Sequence, residues 1–210
     1  MRIAHVKIIE VVDESPLLWG ALSIASERSG REFAVGRHSR SWMEFSAERA
    51  LAADVVIVSA EFRDHVPILL KTRAVARLGT QVVVVANFPR SRLIHNLRQE
   101  GAAHVLAREA STITSLLDVL IDDTPASAWG SASSAASLLT DRELQIAALF
   151  ASRASPTTQQ IAELLGLSPA TVRTHLKLAR RRLQGLGFEV SSRSLLRATL
   201  LAEGYSVPEF

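Results

Sequence analysis

The sequence predicts two folds in one chain: a doubly wound α/β domain on a five-stranded parallel sheet, followed by an all-α helix-turn-helix domain. Three observations predict it. Short β-branched runs alternate with helix-period segments through the first 123 residues, and two of the runs, Val55 to Val58 and Val82 to Val85, are wholly apolar. Continuous apolar strands suit a parallel sheet covered on both faces. A small-residue, Ser/Ala-rich stretch follows, and residues 124–139 carry no charge. Beyond it, two capping boxes and a Ser-Pro helix start mark closely spaced helices with no strand between them.

Val6 to Val12 is β-rich and leads into Asp13-Glu14-Ser15-Pro16, an acidic strand end with a helix start. Leu17 to Ser29 has helical apolar spacing and is closed by Gly30. Glu32 to Val35 reads as a short strand and Trp42 to Ala53 as a helix. The strand Asp54 to Val58 ends at Ser59, and the helix Val66 to Leu78 stops at Gly79. Gln81 to Val85 is the next strand, Ser91 to Glu100 a helix before Gly101, His104 to Ala107 the last strand, and Ser111 to Ile121 an amphipathic helix. Strands alternating with helices in this way make βαβ units, here a flavodoxin-like domain over residues 1–123. Residues 124–137 form a linker whose one large apolar side chain, Trp129, would pin it to a domain.

The second domain covers residues 138–210. Thr140-Asp-Arg-Glu143 is a capping box opening a helix from Asp141 to about Ser152, and Arg153-Ala-Ser-Pro156 is a loop. Thr157-Thr-Gln-Gln160 is a second capping box, followed by Ile161, Ala162, Leu164, Leu165 and the turn Gly166-Leu167. Ser168 then caps a long helix with Pro169 at its first position. On a wheel of about 100° per residue, Val172, Leu176, Ala179 and Leu183 share one narrow stripe. Arg173, Thr174, Lys177, Arg180 and Arg181 lie around the other side, with no acid among them. Basic surface helices are common. A short helix, a Gly turn and a second helix with a cationic outer face together make a helix-turn-helix aimed at a polyanion. Ser192 to Glu203 is the last helix, with Leu195, Leu196, Leu200 and Leu201 as its apolar set.

Charge follows the same division. Residues 1–123 hold 15 basic and 15 acidic residues, whereas residues 140–210 hold 9 and 6 and so carry the whole excess of +3. Residues 168–185 hold five basic residues and no acid, the local footprint of nucleic-acid binding. The absence of cysteine excludes disulfides, thiol catalysis and cysteine-ligated zinc. The six histidines show no metal-ligand spacing, and no metal or cofactor is predicted. The apolar runs are too short to span a bilayer, and Met1-Arg-Ile-Ala-His5 begins no export signal, so a cytoplasmic protein is expected.

Residues 138–205 resemble the LuxR/NarL-type DNA-binding domain. The likeness rests on Leu139-Thr-x-Arg-Glu143-Leu, Ile161-Ala-x-x-Leu165, Ser168-x-x-Thr171-Val-x-x-His175 and Arg182-Leu183. The loop Arg153 to Pro156 is a residue or two longer than usual in that family. The resemblance implies that the long helix enters the major groove with Arg173, Thr174 and Lys177 at base edges. Arginine and lysine suit guanine O6/N7, and a threonine methyl suits thymine. Ser168, Thr171, Arg180 and Arg181 are then the phosphate contacts that set register, with His175 packing or touching a phosphate at the stripe edge. The last helix would pair across a two-fold axis through Leu196 and Leu200, giving a homodimer on a pseudo-palindromic double-stranded DNA operator.

Residues 1–123 resemble the receiver domain of two-component response regulators, in a degenerate form. Asp13-Glu14 matches the acidic pair that holds Mg²⁺, Ser59 stands at the phosphorylated Asp, Ala86 at the switch Ser/Thr and Arg108 at the Lys. A serine hydroxyl without an activating base is a poor phosphoryl acceptor, alanine cannot bond a phosphoryl oxygen, and arginine is a wider, planar donor than lysine. With the third carboxylate gone, an ion pair of Arg108 with Asp13 or Glu14 is favoured over Mg²⁺. The expected function is phosphorylation-independent, sequence-specific transcriptional regulation. A second reading makes the receiver-like domain a binding module for a small-molecule or protein regulator. An enzyme built on Ser59 would need a Gly-x-Ser-x-Gly elbow or a placed histidine, and neither is present, so no catalytic residue is assigned.

Overall fold

The computed structural model describes residues 6–28, 33–47, 53–62, 64–121 and 138–205. The expected linker 124–137, Trp129 included, lies outside them, as do residues 48–52 of the expected helix from Trp42. The chain separates into two compact units, one built on residues 1–62, 71–89 and 97–133, the other on residues 63–70, 90–96 and 134–210.

The first unit carries a five-stranded, all-parallel sheet in the order β2-β1-β3-β4-β5. Its strands are β1 (Lys7–Val12), β2 (Phe33–Ser39), β3 (Val55–Ser59), β4 (Gln81–Ala86) and β5 (Ala102–Ala107). The helices between and after them are α1 (Leu17–Arg28), α2 (Trp42–Ala47), α3 (Ile68–Ala76), α4 (Ser91–Gln99) and α5 (Thr112–Ile121). Every residue of β3 is buried, as its apolar run requires of a central parallel strand. Alternate strand residues Ile9, Val11, Val55, Ile57, Val83 and Val85 form one core face, closed by Leu18 and Leu22 of α1 and Leu116 and Leu120 of α5. β2 runs four residues past the expected end at Val35. It is an edge strand pairing with β1 alone, so it tolerates the polar Arg37-His38-Ser39, and a register shift opposite Ile9–Val11 carries it on.

The second unit contains α6 (Asp141–Phe150), α7 (Thr158–Leu165), α8 (Pro169–Gly185) and α9 (Arg193–Ala202). Both capping boxes form: Thr140 with Glu143 and Thr157 with Gln160. Its core joins Leu144, Ala147 and Ala148 of α6 and Ile161 and Ala162 of α7 to the predicted α8 stripe. One expectation is corrected. Leu196 and Leu200 are 0% exposed and complete this core, so they cannot form the surface of a dimer helix. The i, i+4 pair fits both roles in sequence, and packing selects the inward one. On α9 it is Leu195 and Leu201, each 40% exposed, that face solvent. Leu196→Ala should therefore destabilise the protein by about 2–5 kcal/mol in urea denaturation, as cavity-forming core substitutions do. Leu195→Ala should cost under about 1 kcal/mol.

Candidate nucleic-acid interface and strand-end pocket

The helix-turn-helix is positioned by its ends. Thr157 Oγ1 accepts the Gln160 N–H at 3.2 Å while Gln160 Oε1 accepts the Thr157 N–H at 2.8 Å, which fixes the start of α7. Gly166 ends it at φ +63°, where a β-carbon would strain the backbone, and the Leu167 N–H closes on the Ala162 carbonyl at 2.8 Å. Ser168 then caps α8 by accepting the Thr171 N–H at 3.1 Å. Val172, Leu176, Ala179 and Leu183 are all buried, as the wheel predicts. Burying that stripe turns Arg173, Thr174, Lys177 and Arg181 outward, all exposed, on a helix that carries no acid. The Thr174 hydroxyl donates back to the Ala170 carbonyl at 3.0 Å, which leaves its methyl group as the part available to a partner.

The remaining basic residues are partly committed to the fold. Arg182 reaches Glu143 at 3.1 Å, and the same buried carboxylate oxygen accepts the Thr140 N–H at 2.9 Å. Glu143 therefore caps α6 and ties α8 to it. Arg180 lies half-buried with its guanidinium 5.3 Å from the Phe150 ring centroid and its Nε buried without a hydrogen-bond partner. It packs on Phe150 with part of its surface in solvent. Arg193 sits 4.0 Å from the same ring centroid and donates to the Pro156 carbonyl at 2.9 Å, bracing the long loop before α7. The Ser168 and Thr171 hydroxyls lie 2.8 Å apart and bond each other. His175 is half-buried beside the stripe. Glu143, Phe150 and Arg193 are absent from the sequence-derived set. Glu143 reads in sequence as a cap and a motif residue, with no sign of its bond to Arg182, and the aromatic–arginine stacking joins residues far apart in the chain.

The second cluster gathers at the carboxyl ends of the strands, where β1 and β3 adjoin and the strand order reverses, the customary ligand position of such sheets. Asp13 and Ser59 are buried there. Arg108 Nη2 donates to Asp13 Oδ2 at 2.7 Å and to Ser59 Oγ at 3.0 Å. Asp13 Oδ1 accepts the Ser15 N–H at 3.0 Å, and the His38 ring nitrogen Nε2 lies 2.9 Å from the Asp13 carbonyl oxygen. Ala86, at the end of β4, accepts the Arg108 N–H at 2.8 Å through its carbonyl. Glu14 is exposed. Glu61 is the residue that sequence reasoning missed. It accepts the Asn87 N–H at 2.6 Å and lies 4.0 Å from Arg108 Nε, so the guanidinium stands among Asp13, Ser59 and Glu61.

These residues do not fit Mg²⁺. A hard cation needs several free oxygen ligands, whereas both Asp13 carboxylate oxygens are engaged and a guanidinium sits against one of them. Among the described residues no group of three or more His, Cys, Asp or Glu side chains is placed to hold a metal ion. Arg108→Ala removes the charge that faces the buried Asp13. It should cost about 1–3 kcal/mol in urea denaturation, less than a fully buried pair because Arg108 keeps part of its surface in water. A double-mutant cycle with Asp13→Asn should assign most of that loss to the pair. A loss under about 0.5 kcal/mol would show the contact to be energetically idle.

Comparison with known proteins agrees on the fold. Residues 157–183, spanning α7 and α8, match the family described as Sigma-70, region 4, a helix-turn-helix family other than the one the sequence resembles. No curated protein sequence matches the chain. RcsB from Salmonella enterica serovar Typhimurium, bound to promoter rprA with the phosphomimetic BeF3⁻, superposes with a TM-score of 0.58 at 16% identity over 94% of this chain and 99% of that one. The same protein on promoter P1flhDC gives 0.56 at 14% identity over 95% and 98%. A further structure of the Salmonella typhimurium RcsB response regulator gives 0.58 at 15% identity over 95% and 98%. At such identities the likeness establishes fold alone: a receiver-like α/β domain followed by a helix-turn-helix domain, the architecture this chain shares with those response regulators.

Proposed function

We propose that the chain is a sequence-specific, double-stranded-DNA-binding transcriptional regulator that acts as a homodimer and without phosphoryl transfer. The observation that carries the reading is the outer face of α8, where Arg173, Thr174, Lys177 and Arg181 are exposed on a helix without an acid. A helix about 10–12 Å across fits the major groove. On it, Arg173 and Lys177 take guanine edges, Thr174 offers a methyl to thymine, and Arg181 meets a phosphate. RcsB, of like fold, is described on two promoters and as two dimers bound to two parallel DNAs. Here the dimer surface is the uncharged outer arc of α9, Leu195, Ala198 and Leu201, all exposed. Two-fold pairing there sets half-sites about one helical turn apart.

Phosphorylation independence rests on the strand-end pocket. The Ser59 hydroxyl oxygen accepts from Arg108 and faces the Glu61 N–H at 3.4 Å, so its lone pairs meet donors and no general base. Arg108 already supplies the positive charge that a metal and a transferred group would organise. The same arrangement supports a binding protein over an enzyme.

In fluorescence-anisotropy titrations on a selected site, Arg173→Ala or Lys177→Ala should cost roughly 1–3 kcal/mol and relax specificity at one base position. Arg181→Ala should weaken all sequences alike and reduce the salt slope by about 1. Wild-type affinity in both Arg173→Ala and Lys177→Ala would overturn the groove assignment.

A further inference from the structure

The first domain is neutral only in sum, because its charge is segregated along the chain. Residues 65–99 hold no aspartate or glutamate but carry Lys71, Arg73, Arg77, Arg90, Arg92 and Arg98. Two of these belong to the interior: Lys71 is buried against the Phe62 ring, and Arg73 makes a paired bond to Glu100 at 2.5 and 2.6 Å. Arg77, Arg90, Arg92 and Arg98 are exposed. Arg92 is bonded to Glu203 of its own unit, so its charge is already answered.

One run of chain, the loop before α4 and α4 itself, concentrates the remainder. Ser91, His95, Arg98 and Gln99 share the outer face of the helix at about 100° per residue, all exposed and with no acid among them. Leu97 is buried on the opposite side and fixes that orientation. Arg90 starts the helix, its carbonyl accepting the Ile94 N–H at 3.0 Å. Arg90 and Arg98 therefore stand about 12 Å apart along the axis, a length over which a nucleic-acid strand presents several phosphates. Just before them is Phe88, 92% exposed, more than any other large apolar residue among those described. Its loop is anchored at the base, where the Asn87 N–H donates to Glu61 at 2.6 Å.

A lone exposed apolar residue is ordinary on a protein surface. A nearly bare ring at the head of a helix of one charge sign is more specific. It is the pattern by which proteins hold single strands, with bases stacking on the aromatic while cations track the backbone. In a duplex the bases are stacked inside, whereas a single strand can turn a base out onto the ring. An acidic protein surface supplies charge at isolated points, and 35 residues without an acid suit a continuous anion better.

We propose that Phe88, Arg90 and Arg98 form a site for single-stranded nucleic acid, in which a base stacks on Phe88 and the adjoining phosphates lie along Arg90 and Arg98. The site is separate from α8 and does not rest on the duplex reading.

The test first removes the cations of α8. The full-length chain with Arg173→Ala, Lys177→Ala and Arg181→Ala should bind labelled oligo(dT) and oligo(U) of about 20 nucleotides in anisotropy titrations at low salt, and a duplex of equal length about fivefold or more weakly. Tighter binding of one strand type assigns the site to opened DNA or to RNA. In that background Phe88→Ala should weaken both strands about fivefold or more, and Phe88→Trp should keep or tighten them, as stacking requires. Arg90→Glu with Arg98→Glu should weaken them about tenfold or more and flatten the salt dependence. All three positions are exposed, so the variants should fold, and circular dichroism checks that they do. Phe88→Ala in the otherwise unaltered chain should leave the affinity for a selected duplex unchanged, so the two readings fail separately. Undiminished single-strand affinity in the Phe88→Ala variant, equal binding of duplex and single strand, or polyglutamate competing as well as oligo(dT) at equal charge would overturn the proposal.

Discussion

The orientation of α8 depends on one packing constraint. Its four buried residues, Val172, Leu176, Ala179 and Leu183, form a stripe so narrow that the helix has one way to bury it, and the small Ala179 lets the neighbouring helix come close. Arg173, Lys177 and Arg181 are then turned outward. The Glu143 carboxylate sharpens the constraint: buried at the start of α6, it accepts both the Thr140 N–H and the Arg182 guanidinium, so the cap of one helix becomes the tether of the next. Arg180 and Arg193 against Phe150 brace the other side. Rigid packing of this kind holds the outward side chains of α8 in fixed positions.

The first unit answers a different constraint. A sheet of this topology opens a cleft at its strand ends, and in this chain the cleft is filled from within. Arg108, directly after β5, bridges to the ends of β1, β3 and β4 through Asp13, Ser59 and its own backbone bond to Ala86. A bridge of fixed charge between strand ends holds one arrangement, whereas a phosphoryl group that comes and goes selects between two. The Arg108 bridge ties these strand ends together by fixed charge and hydrogen bonds.

Much of this was legible in the sequence, for identifiable reasons. Both capping boxes, the Ser168-Pro169 start and the α8 stripe are local patterns in which residues three or four apart decide the outcome, and each forms as read. β3 and β4 were legible because a wholly apolar run of this length fits only a strand covered on both faces. The unreadable parts depend on partners distant in sequence. β2 continues through Arg37-His38-Ser39 because β1 supplies its pairing. Leu196 and Leu200 are core because α6 packs on α9. Arg180 packs on an aromatic ring thirty residues earlier, and Glu61 joins the pocket by way of the β3–α3 loop. In each case residue type allows two roles and tertiary contact selects one.

The central claim is that DNA binding belongs to the unmodified chain and that the strand-end pocket performs no phosphoryl transfer. Its most direct test is intact-mass measurement combined with DNA titration, before and after incubation of the full-length protein with acetyl phosphate and Mg²⁺. The account predicts an unchanged mass and one binding curve common to both samples. A gain of one phosphoryl group at Ser59 together with a shifted DNA affinity would contradict it.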